Sequence, residues 1–252
     1  MSKGFLFINS VTVRYDHLVA IYKVSIKLAL GKFHVIMGPN GGGKTTLIKA
    51  IAGLIPYEGQ IKIDGLNMKK YLKKYSIGYL AQRGAQFQSF PLTVLQVVEM
   101  GRYRFRESKA VRKEHAMQYL DEVKMSSLAS HPIGDLSGGQ QQRVLIARAL
   151  ATESKLIIMD EPLTGMDPRS QSRFYEMIEH IKEKHSLTII MSSHDIGFTT
   201  AYAENVFCIN KRLVPHDEAA KLLKEPEIKK LYGPNIHLVE HHHLSSEEEE
   251  DV

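Results

Sequence analysis

Short apolar runs, several alternating with polar residues, occupy the first third of this chain and return after residue 155. Such alternation is typical of half-buried β-strands, and short continuous apolar runs are typical of fully buried ones. The periodicity fades into a polar tail from Pro215 onward. The pattern predicts strands at residues 5–8, 11–13, 24–28, 33–37, 61–63, 77–80, 156–159, 187–191 and 206–209.

A helical pattern fills residues 88–150, where Lys109–Lys124 and Gln140–Leu150 are the longest stretches. A further helix is predicted to start near Pro168, because proline is favoured in the first turn of a helix. Strands that alternate with helices on both sides of a helical segment predict an α/β fold. Its core would be mostly parallel and would carry an inserted helical subdomain.

The chain length sets limits on this fold. Its 252 residues, 43% of them hydrophobic, suffice for one large α/β domain or for a core with a small subdomain. No apolar run approaches the roughly 20 residues that span a bilayer, and the first residues lack the apolar segment of a signal peptide. Cys208 is the only cysteine and lies in a strand-like run, so we expect a buried thiol in a reducing compartment.

The charge is unevenly distributed along the chain. The formal net charge is +5, but five of the 28 acidic residues fall in Glu247–Asp251, which leaves residues 1–246 with a net charge of +10. A body this basic suits nucleic acid, an anionic lipid surface or a nucleotide, and charge alone does not choose among them.

A glycine-rich sequence with the pattern G-x-x-x-x-G-K-[ST] follows the apolar run 33–37 and precedes a helical run. Its glycines let backbone N–H groups approach the phosphates of a nucleoside triphosphate, at the positive end of a helix dipole. Lys44 is expected to neutralise the β- and γ-phosphates, and the Thr45 hydroxyl to bind Mg²⁺. The predicted nucleotide-binding residues here are Gly38, Pro39, Asn40, Gly41, Gly42, Gly43, Lys44, Thr45 and Thr46.

Two carboxylates, Asp160 and Glu161, end the apolar run 156–159. Ligands of parallel sheets bind outside the carboxyl ends of the strands, so both side chains should reach the phosphate-binding loop. Asp160 is the candidate to hold Mg²⁺ through its hydration shell. Glu161 is the candidate general base that activates the attacking water.

A second candidate anion site has the sequence Leu136-Ser137-Gly138-Gly139-Gln140 and directly precedes a predicted helix. Ser137 can cap that helix, and the two glycines let backbone amides come close to an anion. Because the chain has a single phosphate-binding loop, this second site has no loop of its own.

The motifs GPNGGGKTT, LSGGQ and LIIMDEP occur in the order typical of ABC-type ATPases, and the chain resembles that family over about residues 5 to 215. The resemblance implies a RecA-like P-loop nucleotide-binding core with an antiparallel β subdomain and an inserted helical subdomain. It also implies ATP hydrolysis as the activity, with ATP and Mg²⁺ bound. The expected divisions are residues 1–87 for the first part of the core, 88–150 for the helical subdomain, 151–215 for the rest of the core and 216–252 for a tail rich in His and Glu.

Four single residues gain roles from this resemblance alone. Tyr15 matches the aromatic residue that stacks on adenine, and Gln82 matches the glutamine that contacts Mg²⁺ and water and senses the permease. Asp167 matches the aspartate that links two subunits, although Met166 replaces the usual leucine before it. His194 matches the histidine that contacts the γ-phosphate, so the expected catalytic set also includes His194 and Gln82.

The resemblance also implies partners. In this family two chains enclose two ATP molecules head to tail, so Ser137, Gly138, Gly139 and Gln140 would act on the ATP of the other subunit of a homodimer. Separate integral membrane permease subunits and, indirectly, a substrate-binding protein are expected, and nucleic acid is not. The expected location is peripheral, on the cytoplasmic face of the inner or plasma membrane.

The sequence FPLTV followed by VVEMGRY resembles the zinc and manganese uptake ATPases, and to a lesser degree the iron–siderophore ones. We therefore expect the chain to energise import of a metal ion, with zinc or manganese favoured. Two alternatives stay open: another cargo such as an iron–siderophore or haem, and a soluble ABC ATPase that acts on nucleic acid. The second is the weaker, because DNA-repair members carry long coiled coils and translation factors carry two nucleotide domains.

The last 16 residues hold four of the 12 histidines, His237, His241, His242 and His243, beside Glu240. Imidazoles and a carboxylate this close together can bind Zn²⁺ or a similar ion. A solvated tail without metal is the alternative interpretation, because a run of five acidic residues follows.

Overall fold

The computed structural model describes residues 6–29, 31–81, 91–193 and 202–216. The strands are β1 (Leu6–Tyr15), β2 (Leu18–Leu28), β3 (Phe33–Met37), β4 (Glu58–Ile63), β5 (Leu66–Asn67), β6 (Gly78–Leu80), β7 (Leu156–Met159), β8 (Thr188–Ser193), β9 (Asn205–Asn210) and β10 (Arg212–His216). The α-helices are α1 (Lys44–Ile51), α2 (Met68–Lys74), α3 (Val94–Glu99), α4 (Lys109–Glu122), α5 (Gly138–Leu150) and α6 (Pro168–His185). Short 3₁₀ turns lie at Met100–Arg102, Ser126–Leu128 and Ile133–Asp135.

The strands form two sheets. The smaller sheet is antiparallel, with the order β2-β1-β4-β5, and the larger has the order β10-β9-β3-β8-β7-β6. In the larger sheet β9, β3, β8, β7 and β6 are parallel, and β10 adds an antiparallel edge. The predicted α/β fold is confirmed, with its mostly parallel core and antiparallel β subdomain.

Side chains of the parallel strands alternate between two hydrophobic clusters. On β7, Ile157 and Met159 pack in a cluster that includes residues of α3, α4, α5 and α6. Leu156 and Ile158 pack on the opposite face, in a cluster with the antiparallel sheet, α1 and α2. Burial on both faces explains why these strands are continuous apolar runs in the sequence.

The helices α3, α4 and α5 pack around a buried arginine. The guanidinium of Arg102, only 2% exposed, pairs with Glu107 and with Glu153 and lies 3.9 Å over the ring of Phe105. Its hydrogen bond holds the pKa of Glu107 below the usual value. A Cβ atom on Gly101 would lie 2.3 Å from a carbonyl oxygen of α5. The Gly-Arg pair of the VVEMGRY sequence is therefore a packing feature of this helical region.

The structure differs from the predicted elements at several places. Predicted strands 5–8 and 11–13 are one strand, β1, which bulges at Ser10, where φ is 51° and the pairing register with β2 shifts. The elements β5, α2 and β10 were not predicted. In α2 only Met68 and Tyr71 are buried, which is too few apolar positions for a helical pattern to show.

One expectation from composition is met: Cys208 is 1% exposed within β9, so the prediction of a buried thiol is confirmed. Among the described helices, none combines the length and the apolar character needed to cross a bilayer.

Candidate nucleotide-binding site

The phosphate-binding loop follows the carboxyl end of β3 and leads into α1. Gly43 is the residue before the helix, with φ at 98°, and no side chain caps the helix start. The first backbone N–H groups of a helix have no partner within it. The first turn of α1 therefore presents amides and a positive dipole end to an anion.

Two glycines allow this loop to lie against neighbouring strands. A Cβ atom on Gly38 would lie 2.0 Å from the carbonyl oxygen of Ile209 in β9. A Cβ atom on Gly43 would lie 2.5 Å from a methyl carbon of Ile21 in β2. Any side chain at these positions would push the loop off β9 and β2, so both strands fix its position.

Lys44 is buried among oxygen atoms, with only 5% of the residue exposed. Its Nζ donates to the carbonyl oxygens of Gly38 at 2.9 Å and Pro39 at 3.2 Å. The same atom lies 3.3 Å from Oε1 of Glu161. The sheet thus brings together the predicted phosphate ligand and the predicted general base.

The carboxylate of Asp160 follows β7 and accepts two hydrogen bonds on one oxygen. Thr45 Oγ1 donates to Oδ1 at 3.0 Å, and Ser192 Oγ donates to the same oxygen at 2.7 Å. Asp160 is 1% exposed, and its Oδ2 has no hydrogen-bond partner among the described residues. A buried, unpaired carboxylate oxygen is unfavourable unless a cation or water satisfies it.

These residues fit Mg²⁺, which is usually held by one or two carboxylates together with substrate phosphates and waters. The Thr45 hydroxyl gives its hydrogen to Asp160 and so keeps lone pairs for a cation. Within the described ranges, no group of three His, Cys, Asp or Glu residues is arranged to hold a metal ion. Among the described residues, Thr45 and Asp160 are placed to hold a hard cation together with the phosphates.

Glu161 has an unusual backbone conformation for a residue with a side chain. Its φ is +43°, in the left-handed region, and its backbone N–H donates to Ser192 Oγ at 2.8 Å. Sequence reasoning missed Ser192. The signal available was its position at the end of a strand, since the carboxyl ends of neighbouring parallel strands meet at one edge of the sheet.

The LSGGQ segment begins α5 with a capping box. Ser137 Oγ accepts from the backbone N–H of Gln140 at 3.4 Å, and the Gln140 side chain accepts from the backbone N–H of Ser137 at 2.9 Å. Ser137 is exposed, and a Cβ atom on Gly139 would meet nothing within 4 Å. The predicted second anion site is thus an accessible helix start, and Gly138 is its first helical residue.

The other predicted site residues occupy varied positions. Asp167 caps α6, where its carboxylate accepts from the backbone N–H of Ser170 at 3.1 Å and from its hydroxyl at 2.6 Å. These bonds lower the pKa of Asp167. Tyr15 is 45% exposed at the β1–β2 hairpin, and β2 contacts the loop at Gly43.

Several predicted residues lie outside the described ranges: Gln82, His194, His237, His241, His242 and His243. Their roles stay predictions. For the tail, zinc calorimetry on the chain with and without residues 236–252 tests metal binding.

Comparisons with known proteins lead to the family that these motifs indicate. The family model described as "ABC transporter" matches residues 21–164. The manganese transport system ATP-binding protein of Listeria innocua is 36% identical over 231 residues, which cover 90% of this chain and 95% of that protein. The high-affinity zinc uptake system ATP-binding protein of Bacillus subtilis is 35% identical, and the match covers 81% of this chain and 90% of that protein.

A solved structure supports the same comparison. The dimeric structure of a bacterial ABC transporter cassette has a TM-score of 0.74 and 28% sequence identity to this chain. The match covers 85% of this chain and 98% of the cassette.

Proposed function

This chain belongs to the ABC transporter family of ATP-binding subunits, and we propose that its ATP hydrolysis drives import of manganese or zinc through a separate membrane permease. The observation that carries the ATPase assignment is the meeting of Lys44, Thr45, Asp160 and Glu161 at one edge of the parallel sheet. The relatives named for manganese and zinc uptake support the choice of cargo.

Nucleotide binding would begin with the loop and α1. The β- and γ-phosphates would take the amides of the uncapped helix start, and Lys44 would exchange the carbonyl oxygens of Gly38 and Pro39 for phosphate oxygens. Tyr15 would stack on the adenine, which its exposure permits.

Hydrolysis would depend on the two carboxylates. Asp160 and the Thr45 hydroxyl would hold Mg²⁺, which when bound neutralises charge on the β- and γ-phosphate oxygens. Glu161 would orient the attacking water and accept its proton, Gln82 would contact Mg²⁺ and that water, and His194 would contact the γ-phosphate. Losing a positioned base typically lowers the rate by about 10²–10⁴-fold.

The LSGGQ segment would complete the site of a second subunit. Ser137 and the amides of Gly138 and Gly139 lie at an exposed helix start, where the ATP of a partner chain can approach. Asp167 would link the two subunits of this ATP-bound homodimer. The permease and a substrate-binding protein would select the cargo, with this chain at the cytoplasmic face of the membrane.

Uptake measured metal by metal tests the cargo. In cells that lack this chain, we expect accumulation of manganese or zinc to fall and the wild-type chain to restore it. Glu161→Gln should fail to restore uptake, whereas Glu183→Gln, an exposed position on α6, should succeed. Unchanged manganese and zinc uptake, together with loss of another cargo, would overturn the metal assignment and leave the ATPase assignment intact.

A further inference from the structure

We propose that Ser192 is a positioning residue that holds both carboxylates of the hydrolytic site in their working orientation. Its hydroxyl contacts one oxygen of Asp160 and the backbone of Glu161. The inference rests on the proposed roles of Asp160 as the Mg²⁺ ligand and Glu161 as the general base.

The directions of both hydrogen bonds are fixed by chemistry. A serine hydroxyl has one hydrogen to donate, a carboxylate only accepts, and a backbone amide only donates. Ser192 therefore donates to Asp160 Oδ1 at 2.7 Å and accepts from Glu161 N–H at 2.8 Å. The side chain is fully buried, so water does not compete for either bond.

For Asp160 the consequence is that its carboxylate is held in one orientation. Both Thr45 and Ser192 donate to Oδ1, and Oδ2 keeps no hydrogen-bond partner within the described part of the chain. Two donors on one oxygen limit rotation of the carboxylate and leave the other oxygen for a cation. Outer partners of this kind orient the carboxylates that bind metals.

For Glu161 the consequence concerns the backbone. A φ of +43° is sparsely populated by residues with a side chain, and it persists only where the surroundings hold it. The hydrogen bond from Glu161 N–H to Ser192 is one such restraint. Without it, we expect the backbone to relax and the carboxylate to leave its place beside Lys44.

Sheet pairing explains why this serine occupies the position. Strands β7 and β8 are parallel neighbours, with Met159 paired to Met191. The next residues along each strand are Asp160 and Ser192. A shift of one residue in this register would turn Ser192 to the other face of the sheet, so the contact depends on the β7–β8 pairing.

The test compares Ser192→Ala with Ser192→Thr and with a control at the opposite end of β7. Ser154 is also buried, and its hydroxyl accepts from Leu156 N–H at 3.0 Å and donates to the carbonyl oxygen of Ser76 at 2.8 Å. Ser154→Ala therefore removes the same kind of hydroxyl from just before β7, at the end of that strand opposite both carboxylates.

Four measurements on the full chain separate positioning from general stability. Backbone hydrogen exchange over residues 157–165 should speed up in Ser192→Ala, without added nucleotide or metal. The Mg²⁺ concentration that half-enhances binding of a fluorescent ATP analogue should rise, and kcat should fall, each about 10- to 100-fold. Binding of the analogue without Mg²⁺ should stay within about two-fold of wild type, since no phosphate contact is removed.

Ser192→Thr keeps the hydroxyl on a residue favoured in strands and should restore all three quantities. Ser154→Ala should lower the unfolding temperature and leave the Mg²⁺ dependence and kcat unchanged. If Ser192→Ala does not fold, Ser192→Cys replaces it, because a thiol of similar size donates and accepts weakly.

Wild-type exchange and Mg²⁺ dependence in Ser192→Ala would overturn the inference, as would an equal loss in Ser154→Ala. Full turnover in Glu161→Gln would instead overturn the proposed base. If Glu161→Gln loses turnover while Ser192→Ala behaves like wild type, only the positioning role of Ser192 is overturned.

Discussion

The helices α1 and α5 both follow glycine-containing loops, yet their first turns are satisfied in opposite ways. At α1, Gly43 provides no side chain, and the helix start is uncapped. At α5, Ser137 and Gln140 form a complete capping box. One helix start is completed only by a ligand, whereas the other is already completed by its own side chains.

This difference separates two tasks that the sequence motifs alone present as similar. An uncapped start beside a buried lysine suits stable nucleotide binding within one chain. A capped, exposed start suits a contact that forms only when a second chain arrives. An N-cap side chain contributes about 1 kcal/mol to stability, so Ser137 can exchange its capping bond for a phosphate at small cost.

The largest expected effect concerns ATP binding at the start of α1. Lys44→Ala removes the charge that would offset the β- and γ-phosphates and should weaken ATP binding about 100-fold, as loss of charge-assisted hydrogen bonds does. Fluorescence titration measures it. Lys49→Ala, in the last turn of the same helix, is the control and should bind normally; unchanged affinity in Lys44→Ala would contradict the phosphate-binding assignment.

The next largest effect concerns dimerisation through the start of α5 and leaves α1 unchanged. In a Glu161→Gln background that traps the ATP-bound dimer, Ser137→Arg should abolish ATP-induced dimerisation on a sizing column. Affinity of the monomer for ATP should stay within about two-fold, since α1 is unchanged. The matched control is Ser108→Arg, because Ser108 also caps an exposed helix start, that of α4. Loss of monomer binding in Ser137→Arg would instead place α5 at the nucleotide of its own chain.

Low pH should lower the folding stability of the chain through a buried histidine in β3, the strand that leads to α1. His34 is 1% exposed, its Nε2 lies 3.1 Å from the carbonyl oxygen of Ala29, and burial lowers its pKa below 6.5. The unfolded chain therefore binds this proton more readily than the folded chain, and stability falls as pH drops below the unfolded pKa.

We expect His34→Gln, which does not titrate, to lose about 1 kcal/mol less stability than wild type between pH 7 and pH 5. Urea unfolding at each pH measures this difference. An identical pH dependence in both proteins would show that the pKa of His34 does not differ between the folded and unfolded chains.

The smallest expected effect is a change in folding stability at the start of α5. Gln140→Ala removes half of the capping box and should cost about 0.5 kcal/mol of stability, with no change in ATP affinity at α1. Gln96→Ala removes the equivalent half of the α3 box and should match it in thermal unfolding. A large loss of ATP affinity in Gln140→Ala would show that the two helix starts are not independent.

The sequence predicted those parts of this fold in which the buried residues form a clear apolar pattern in the local sequence. Strand β7 was predicted with its observed bounds, 156–159, because both of its faces are buried and every residue is apolar. Helix α2 was missed because Lys69, Lys70, Lys73 and Lys74 hide its two buried residues. Short propensity signals of this kind are overridden by tertiary contacts.

The site divides in the same way. The loop and the Asp160-Glu161 pair were predictable because their motifs combine fixed spacing with flanking strands and helices. Ser192 was missed, because its position at a strand end names no partner, and its contacts depend on the pairing of β7 with β8, about 30 residues away in the chain. The left-handed backbone of Glu161 likewise has no sequence signature outside glycine.

The contact between Lys44 and Glu161 makes the carboxylate an intramolecular competitor of the γ-phosphate. A nucleotide must take the lysine from this carboxylate, so the measured affinity is the intrinsic affinity multiplied by the fraction of chains in which the contact is open. Phosphate bound at the loop would take Lys44 from Glu161, while the hydrogen bond to Ser192 keeps the Glu161 backbone in place. Occupancy of the loop thereby becomes a precondition for the chemistry at the end of β7.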